Sequence, residues 1–209
     1  MRNKKNLATI AIIVISVGAV LAFRAFKPDP TELLKARNAE RSKGSEKAPI
    51  WITEYFDYQC PPCATARVTL EKLMAERPGQ IYLQARFFPL PAHKNGMRAA
   101  VYAECASRQK GKFWKFHEEM LNHQNEWATD KYASFRFTSY AEDAGLDLKR
   151  LEACVQDPET EKSVAEEKKK AEAVGVRITP TFYVNGKLAV GVKALLEEIE
   201  AVTDKKAVS

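Results

Sequence analysis

The hydrophobic pattern changes several times along the first half of the chain. Residues 7–23 are uncharged and apolar on every side, whereas residues 24–49 are polar and interrupted by proline and glycine. Residues 50–56 and 81–88 are short runs rich in aromatic and β-branched side chains, which predict two strands. The residues between them predict a helix that starts near Pro61, because proline is favoured in a first helical turn. The predicted order is strand, helix, strand.

The second half begins with helical periodicity and ends with a hairpin. Between about residues 94 and 174, apolar side chains recur three and four positions apart, which predicts a block of helices. Residues 181–184 and 187–190 predict two further strands joined by Asn185-Gly186, since this dipeptide tolerates the positive φ angles of a tight turn. A closing helix follows. The pattern therefore predicts one α/β domain, residues 50–203, with a helical insertion.

The N-terminal apolar run predicts export to a membrane. Its 17 residues follow Arg2, Lys4 and Lys5, a length at the lower end for a spanning helix and just above that of a cleavable signal. A transmembrane signal anchor over 7–23 is the favoured interpretation, and cleavage after Ala22 stays open as the alternative. The preceding basic residues place the N-terminus in the cytoplasm.

Those boundaries divide the rest of the chain. Residues 1–6 form the predicted cytoplasmic N-terminus, 24–49 a stalk or linker, and 204–209 a C-terminal tail. Of the formal charge of +6, all lies in the first 49 residues, which hold ten Lys or Arg against four Asp or Glu. The neutral domain offers no cationic surface of the kind that binds nucleic acid, so no nucleic-acid partner is predicted.

Cys60-Pro61-Pro62-Cys63 places two thiols three residues apart at the start of the predicted helix. Unpaired N–H groups and the helix dipole stabilise a thiolate there, so Cys60 is the expected nucleophile and Cys63 the resolving thiol. From the spacing alone, a structural disulfide and half of a metal site stay open as alternatives. The two remaining cysteines form no second C-x-x-C, so no metal is predicted.

These features resemble the thioredoxin superfamily, and more closely its DsbA-like branch, in which a helical domain interrupts the fold. The resemblance rests on the strand and CPPC stretch at 51–63, on Glu54, on the helical insertion, and on residues 176–181 before the hairpin. It covers about residues 50–203. It implies an α/β, thioredoxin-like fold with an inserted helical domain, here preceded by the N-terminal transmembrane helix.

The resemblance also implies roles for single residues. Glu54 is expected beneath the active site, where it would assist proton transfer with Cys63; an exposed strand-edge position is the alternative. Thr179 and Pro180 resemble the cis-proline loop, in which Thr179 offers its backbone to an extended substrate and Pro180 packs against the cysteine pair.

The active-site dipeptide sets expectations for substrate and potential. Pro61 and Pro62 are expected to contact the substrate, together with Thr179. Pro62 stands where the strongest oxidants of the family carry histidine, so a milder oxidant is expected. Cys105 and Cys154 are expected to form a structural disulfide, because two leftover cysteines in an oxidising compartment most simply pair. Two buried free thiols and a second redox-active pair are the alternatives.

The predicted function is that of a protein-disulfide oxidoreductase without an organic cofactor. It would be a single-pass protein of the bacterial inner membrane with its catalytic domain in the periplasm or extracytoplasmic space. Its partners would be cysteine-containing extracytoplasmic proteins and a membrane redox partner. Oxidation of clients is the favoured direction, with reduction or isomerisation as the alternative. A thiol-based copper chaperone and a tethered chaperone are rivals from another class.

Overall fold

A computed structural model of the chain describes residues 38–207, with side chains described up to residue 204. A 3-10 helix at Ala39–Arg41 precedes the first strand. The strands are β1 (Ser42–Gly44), β2 (Ile50–Phe56), β3 (Ile81–Phe87), β4 (Thr181–Val184) and β5 (Lys187–Val190). The helices are α1 (Pro61–Glu76), α2 (Gly96–Ser107), α3 (Phe113–Asn122), α4 (Gln124–Trp127), α5 (Ala133–Asp143), α6 (Leu148–Gln156), α7 (Pro158–Ala173) and α8 (Gly191–Ala207).

The strands form one mixed sheet in the order β1-β3-β2-β4-β5. β2 and β3 run parallel, with Ile50 opposite Ile81, and the other three pairs are antiparallel. A parallel pair needs a crossover connection, which α1 supplies. Because β2 is the central strand, the segment that follows it, and with it the start of α1, lies at the middle of one end of the sheet.

Both faces of the sheet are covered by helices. α1 and α8 cover one face, where Ile52, Leu70 and Leu195 belong to a buried apolar cluster. The opposite face holds a smaller cluster that includes Val174, just after α7, and Tyr183 of β4. Burial of each large apolar side chain contributes roughly 1.5–3 kcal/mol, so these two layers hold the sheet in place.

The predicted helical block is present as α2 to α7, between β3 and β4, and the prediction of an inserted helical domain is confirmed. Its core is continuous with the carboxyl end of the central strands. Phe56, Tyr58 and Phe87 belong to the same buried cluster as Phe116 and Trp127 of the insertion. The insertion therefore packs directly against the segment that carries the cysteine pair.

The ordered fold begins before the predicted boundary at Ile50. Residues 42–44, assigned from the sequence to the stalk, pair antiparallel with β3 and form an edge strand. Just before them, buried Arg41 makes a bidentate ion pair with Glu167 at 3.0 and 2.8 Å and lies 4.4 Å over the ring of Phe87. A charged anchor of this kind has no hydrophobic signature, so the sequence pattern does not reveal it.

No helix within residues 38–207 has the length and apolar character needed to cross a bilayer. The predicted transmembrane segment at 7–23, the predicted cytoplasmic residues 1–6 and most of the predicted stalk lie outside the described part of the chain.

A disulfide joins Cys105 of α2 to Cys154 of α6 across a sequence separation of 49 residues. The bond therefore links two helices of the insertion. By the chain-entropy account, closing a loop of this length stabilises the fold by about 4 kcal/mol.

We predict that reduction of this disulfide lowers the free energy of unfolding by about 4 kcal/mol. The measurement is urea unfolding of the Cys60→Ala/Cys63→Ala variant with and without reductant, because the Cys105–Cys154 bond is then the only one that the reductant affects. The matched control also carries Cys105→Ala and Cys154→Ala and should not respond to reductant. Equal stability of the first variant in both conditions would contradict the prediction.

Candidate active site

The first turn of α1 carries the cysteine pair. Cys60 is the N-cap residue with extended backbone, Pro61 occupies the first turn, and the Cys63 N–H donates to the Cys60 carbonyl at 3.0 Å. Pro61 fits there because a backbone N–H in the first turn would have no hydrogen-bond partner within the helix. Both thiols are reduced and buried, and Cys63 lies deeper, with no exposed surface. Pro61 and Pro62 are exposed beside them.

The two thiols differ in acidity. A hydrogen bond from the Cys63 thiol is the main cause that lowers the pKa of Cys60 from 9.0 to about 6, with smaller contributions from Thr179 and the Cys63 backbone, against the opposing effects of burial and of Asp57. Burial, reinforced by the neighbouring Cys60 sulfur, raises the pKa of Cys63 well above its ordinary value. At neutral pH, Cys60 is therefore the nucleophilic thiolate and Cys63 holds its proton.

The loop before β4 closes over the sulfur of Cys60. The Thr179–Pro180 peptide bond is cis, and the Cys60 Sγ lies 3.4 Å from the Thr179 carbonyl oxygen. Both loop residues are buried. The structure thus brings together residues that lie about 120 positions apart in the sequence and that the resemblance had placed side by side.

Glu54 lies in the middle of β2, buried beneath α1 and only 3% exposed. Alternate residues of a strand share a face, so Glu54 points to the same side as Ile52, and the alternative of an exposed edge position is wrong. Burial raises the pKa of its carboxyl from 4.5 to about 8. The group is therefore mostly protonated at neutral pH, and its charge acts on Cys63 when it ionises.

A cavity of about 190 Å³ lies next to Glu54. Leu70, Met74 and Leu83 supply apolar walls, while half-exposed Lys43 and Glu71 also line it. The cavity therefore runs from a buried carboxyl to side chains that reach solvent.

Side chains of the insertion hold the backbone of the active-site loop. Gln124 donates from Nε2 to the carbonyls of Tyr58 and Cys60 at 2.7 and 3.0 Å. The Tyr58 hydroxyl is 3.0 Å from Nδ1 of buried His117, whose pKa burial lowers to about 3, so the ring is neutral. Neither contact could be predicted from the sequence, because no local pattern marks it.

Within residues 38–207, no cluster of three or more His, Cys, Asp or Glu side chains could hold a metal ion. In the described part of the chain, Cys60 and Cys63 therefore do not belong to a cluster of this kind.

Residues 37–204 match the family model described as thioredoxin. The chain belongs to the thioredoxin family. The match covers the whole sheet, the insertion and the cysteine pair, so the thioredoxin-like fold expected from the resemblance is confirmed.

Two curated relatives of this thioredoxin-family chain differ in how much of their own length it covers. The chain is 31% identical over 204 residues to a Na⁺/H⁺ antiporter NhaA 1 of Mycolicibacterium vanbaalenii, a match to 88% of this chain. It spans only about a third, 31%, of the length of that relative. The second relative is the probable disulfide bond formation protein D of Bacillus cereus, which is 25% identical over 203 residues. That match covers 90% of this chain and 92% of the relative.

A solved structure has a similar fold. The crystal structure of α-DsbA1 from Wolbachia pipientis superposes with a TM-score of 0.73 at 21% identity, covering 86% of this chain and 98% of the other. At 21% identity, this similarity shows that the two chains share a fold and shows nothing further. The predicted enzyme class, an oxidoreductase, is supported by the family, by the Bacillus cereus relative and by the paired thiols.

We predict that removal of the Cys63 thiol raises the pKa of Cys60 from about 6 toward its ordinary 9.0, because the main hydrogen bond to the thiolate is lost. The measurement is the pH dependence of iodoacetamide alkylation of Cys63→Ala, in which Cys60 is the only free thiol. Cys63→Ser is the matched control, since its hydroxyl still donates, and its Cys60 should remain more acidic. Identical profiles for the two variants would refute this account.

Glu54 predicts a pH-dependent stability. Its folded pKa of about 8 lies above the ordinary 4.5, so between these values the folded state keeps a proton that the unfolded chain has lost, and stability falls as pH rises. Glu54→Gln should abolish this component and stabilise the reduced protein by roughly 2–4 kcal/mol at pH 8, with little effect at pH 4.5. Urea unfolding at both pH values measures it.

The matched control for that series is Glu71→Gln, which changes a half-exposed carboxylate that lines the same cavity and pairs with Arg67. The stability of the Glu71→Gln variant should depend on pH in the same way as that of the unmodified protein. A Glu54→Gln profile parallel to that of the unmodified protein would mean that the buried carboxyl does not titrate as proposed.

Proposed function

We propose that this thioredoxin-family protein is a thiol:disulfide oxidoreductase that exchanges disulfides with cysteine-containing proteins through Cys60. The observation that carries the proposal is the contrast in acidity between two adjacent thiols, with a pKa of about 6 for Cys60 and a strongly raised one for Cys63. A structural disulfide does not require two thiols of different acidity. Disulfide exchange does, because the nucleophile must be ionised while the resolving thiol keeps its proton.

In the oxidising direction, a client thiolate attacks the Cys60 sulfur of the Cys60–Cys63 disulfide. A bond forms between the client sulfur and Cys60, the Cys60–Cys63 bond breaks, and Cys63 leaves as a thiolate that takes up a proton. Glu54 is the proposed donor, because it is protonated at neutral pH and lies close enough to Cys63 to influence its pKa. Glu54 then regains a proton from water through the adjacent cavity.

A second client thiolate then attacks the client sulfur of the mixed disulfide. The client disulfide forms, and Cys60 leaves as a thiolate. Its low pKa makes it a good leaving group, so this step is fast. Two electrons have passed from the client to the cysteine pair, and a disulfide-bearing redox partner in the membrane would accept them to restore the Cys60–Cys63 bond.

The client chain would bind in extended form at the mouth of the site. The Thr179 backbone lies against the Cys60 sulfur, and Pro61 and Pro62 are exposed beside it. By the resemblance, Pro180 would pack against the cysteine pair, and it has no backbone N–H to donate to the thiolate. We therefore assign Thr179, Pro61 and Pro62 to substrate contact and Pro180 to the positioning of the pair.

We place the catalytic domain on the extracytoplasmic side of a bacterial inner membrane, anchored by residues 7–23. The uncharged apolar run after basic residues supports the anchor, and the Cys105–Cys154 disulfide suits an oxidising compartment. Oxidation is the proposed direction, because a stabilised Cys60 thiolate favours the reduced form and makes the disulfide an electron acceptor. The name of the Bacillus cereus relative, a disulfide bond formation protein, points the same way.

The proposal predicts that full-length Cys63→Ala accumulates mixed disulfides with client proteins at Cys60, because the resolving thiol is absent. Clients are detected as reductant-sensitive adducts on non-reducing gels and identified by mass spectrometry. The matched control, Cys60→Ala/Cys63→Ala, should give none. If Cys63→Ala captures no client through Cys60, the proposed function is wrong.

The direction of exchange has its own test, the redox state of the pair in the cell after acid quenching and thiol alkylation. An oxidised majority of Cys60–Cys63 is expected for an oxidase. A reduced majority would overturn the oxidising direction in favour of reduction or isomerisation, while leaving the exchange activity in place.

A further inference from the structure

His93, in the loop between β3 and α2, contacts the segment that leads into the cysteine pair. Its Nδ1 is 2.7 Å from Oδ2 of Asp57, three residues before Cys60. A carboxylate only accepts hydrogen bonds, so the imidazole N–H is the donor. This contact could not be predicted from the sequence, because no spacing links two residues 36 positions apart.

The Asp57 carboxylate sits in a site built for an anion. Its side chain is fully buried. Oδ1 accepts the Gln59 N–H at 2.8 Å, and Oδ2 accepts the Leu90 N–H at 2.7 Å. The start of α2 lies against it, where a Cβ on Gly96 would come within 2.8 Å of the carboxylate. Glycine at this position lets the carboxylate approach the positive end of the helix dipole.

Asp57 also touches both cysteines through its backbone. Its carbonyl accepts the Cys60 N–H at 3.1 Å, and its own N–H hydrogen-bonds to Cys63. The negative charge of its side chain opposes ionisation of Cys60. Because like charges repel, any group that offsets the Asp57 charge favours the Cys60 thiolate.

We propose that His93 is a positioning residue for the Cys60 thiolate, which it serves by holding the Asp57 carboxylate and offsetting its negative charge. The inference rests on the proposed role of Cys60 in disulfide exchange, which it deepens by naming a residue that tunes the nucleophile. His93 acts through Asp57 and does not touch the sulfur.

The contacts of Asp57 separate this role from simple loop fixation. Each carboxylate oxygen already has a backbone donor, from Gln59 or Leu90, so the His93 bond is additional to a satisfied pair. The His93 side chain is 22% exposed, so a substituted side chain at this position can also reach solvent. If the His93 bond only fixed the loop, any hydrogen-bond donor at residue 93 could replace it. If the bond offsets the charge of Asp57, its effect depends on the charge of residue 93.

The test is a substitution series at residue 93 with titration of reduced Cys60 and its equilibrium with glutathione. His93→Phe should raise the pKa of Cys60 by about half a unit or more, which is about threefold less thiolate in the steep part of the titration. The equilibrium constant for oxidation of glutathione should fall by a similar factor. His93→Gln, a neutral donor, should lie between, and His93→Lys should restore or exceed the acidity of the unmodified protein.

A second background shows whether the effect passes through Asp57. Asp57→Asn removes the negative charge, so Cys60 should become more acidic, and adding His93→Phe should then change its pKa little. The matched control is His123→Phe, since His123 has the same 2.7 Å contact to Glu126 at the protein surface. This control should leave the Cys60 titration unchanged.

Three results would overturn the inference. The first is a Cys60 pKa that is the same in all residue 93 variants, and the second is a Cys60 pKa that does not follow the charge of residue 93. The third is a change in the Cys60 pKa on His93→Phe that persists in the Asp57→Asn background. If Asp57→Asn does not fold, the comparison of His93→Lys with His93→Phe decides. A lower Cys60 pKa in His93→Lys supports the inference, and equal values overturn it. The titration needs no client protein, so it is distinct from the trapping of clients that tests the proposed function.

Discussion

The site depends on the placement of negative charge at the first turn of α1. A thiolate at Cys60 is stable there because the Cys63 thiol and backbone donate to it, which outweighs the unfavourable effects of burial and of Asp57. The same burial keeps the proton on Cys63 and on Glu54. One constraint, the cost of burying further negative charge beside the Cys60 thiolate, therefore leaves Cys60 ionised and keeps Cys63 and Glu54 protonated.

The fold serves this constraint by bringing distant segments to one end of the sheet. The central strand delivers Glu54 and the active-site loop, the cis-proline loop before β4 closes over Cys60, and the insertion supplies donors to the loop carbonyls. Buried carbonyls without donors would each cost free energy comparable to a lost hydrogen bond. The helical insertion is thus part of the structure that supports the proposed active site and not only a cover for it.

Much of this arrangement could be predicted from the sequence, because it rests on local signals. Strands β2 to β5, the Asn185-Gly186 turn and the helical block follow from periodicity and turn chemistry, and Cys60, Cys63 and Pro180 follow from the motif and the resemblance. The anchoring of Arg41, the Asp57–His93 contact and the role of Gln124 could not be predicted. Each depends on a polar pair far apart in sequence, and polar contacts leave no periodic trace.

The two hydrogen bonds from Gln124 have a consequence for attempts to shorten the molecule. Excision of residues 96–173 would leave a sequence that still contains every described strand, α1 and both cysteines of the pair. It would also strip the carbonyls of Tyr58 and Cys60 of their donors and expose Phe56 and Phe87. A minimal redox module derived from this chain would therefore need a redesigned surface above the loop, not merely a shorter connection between β3 and β4.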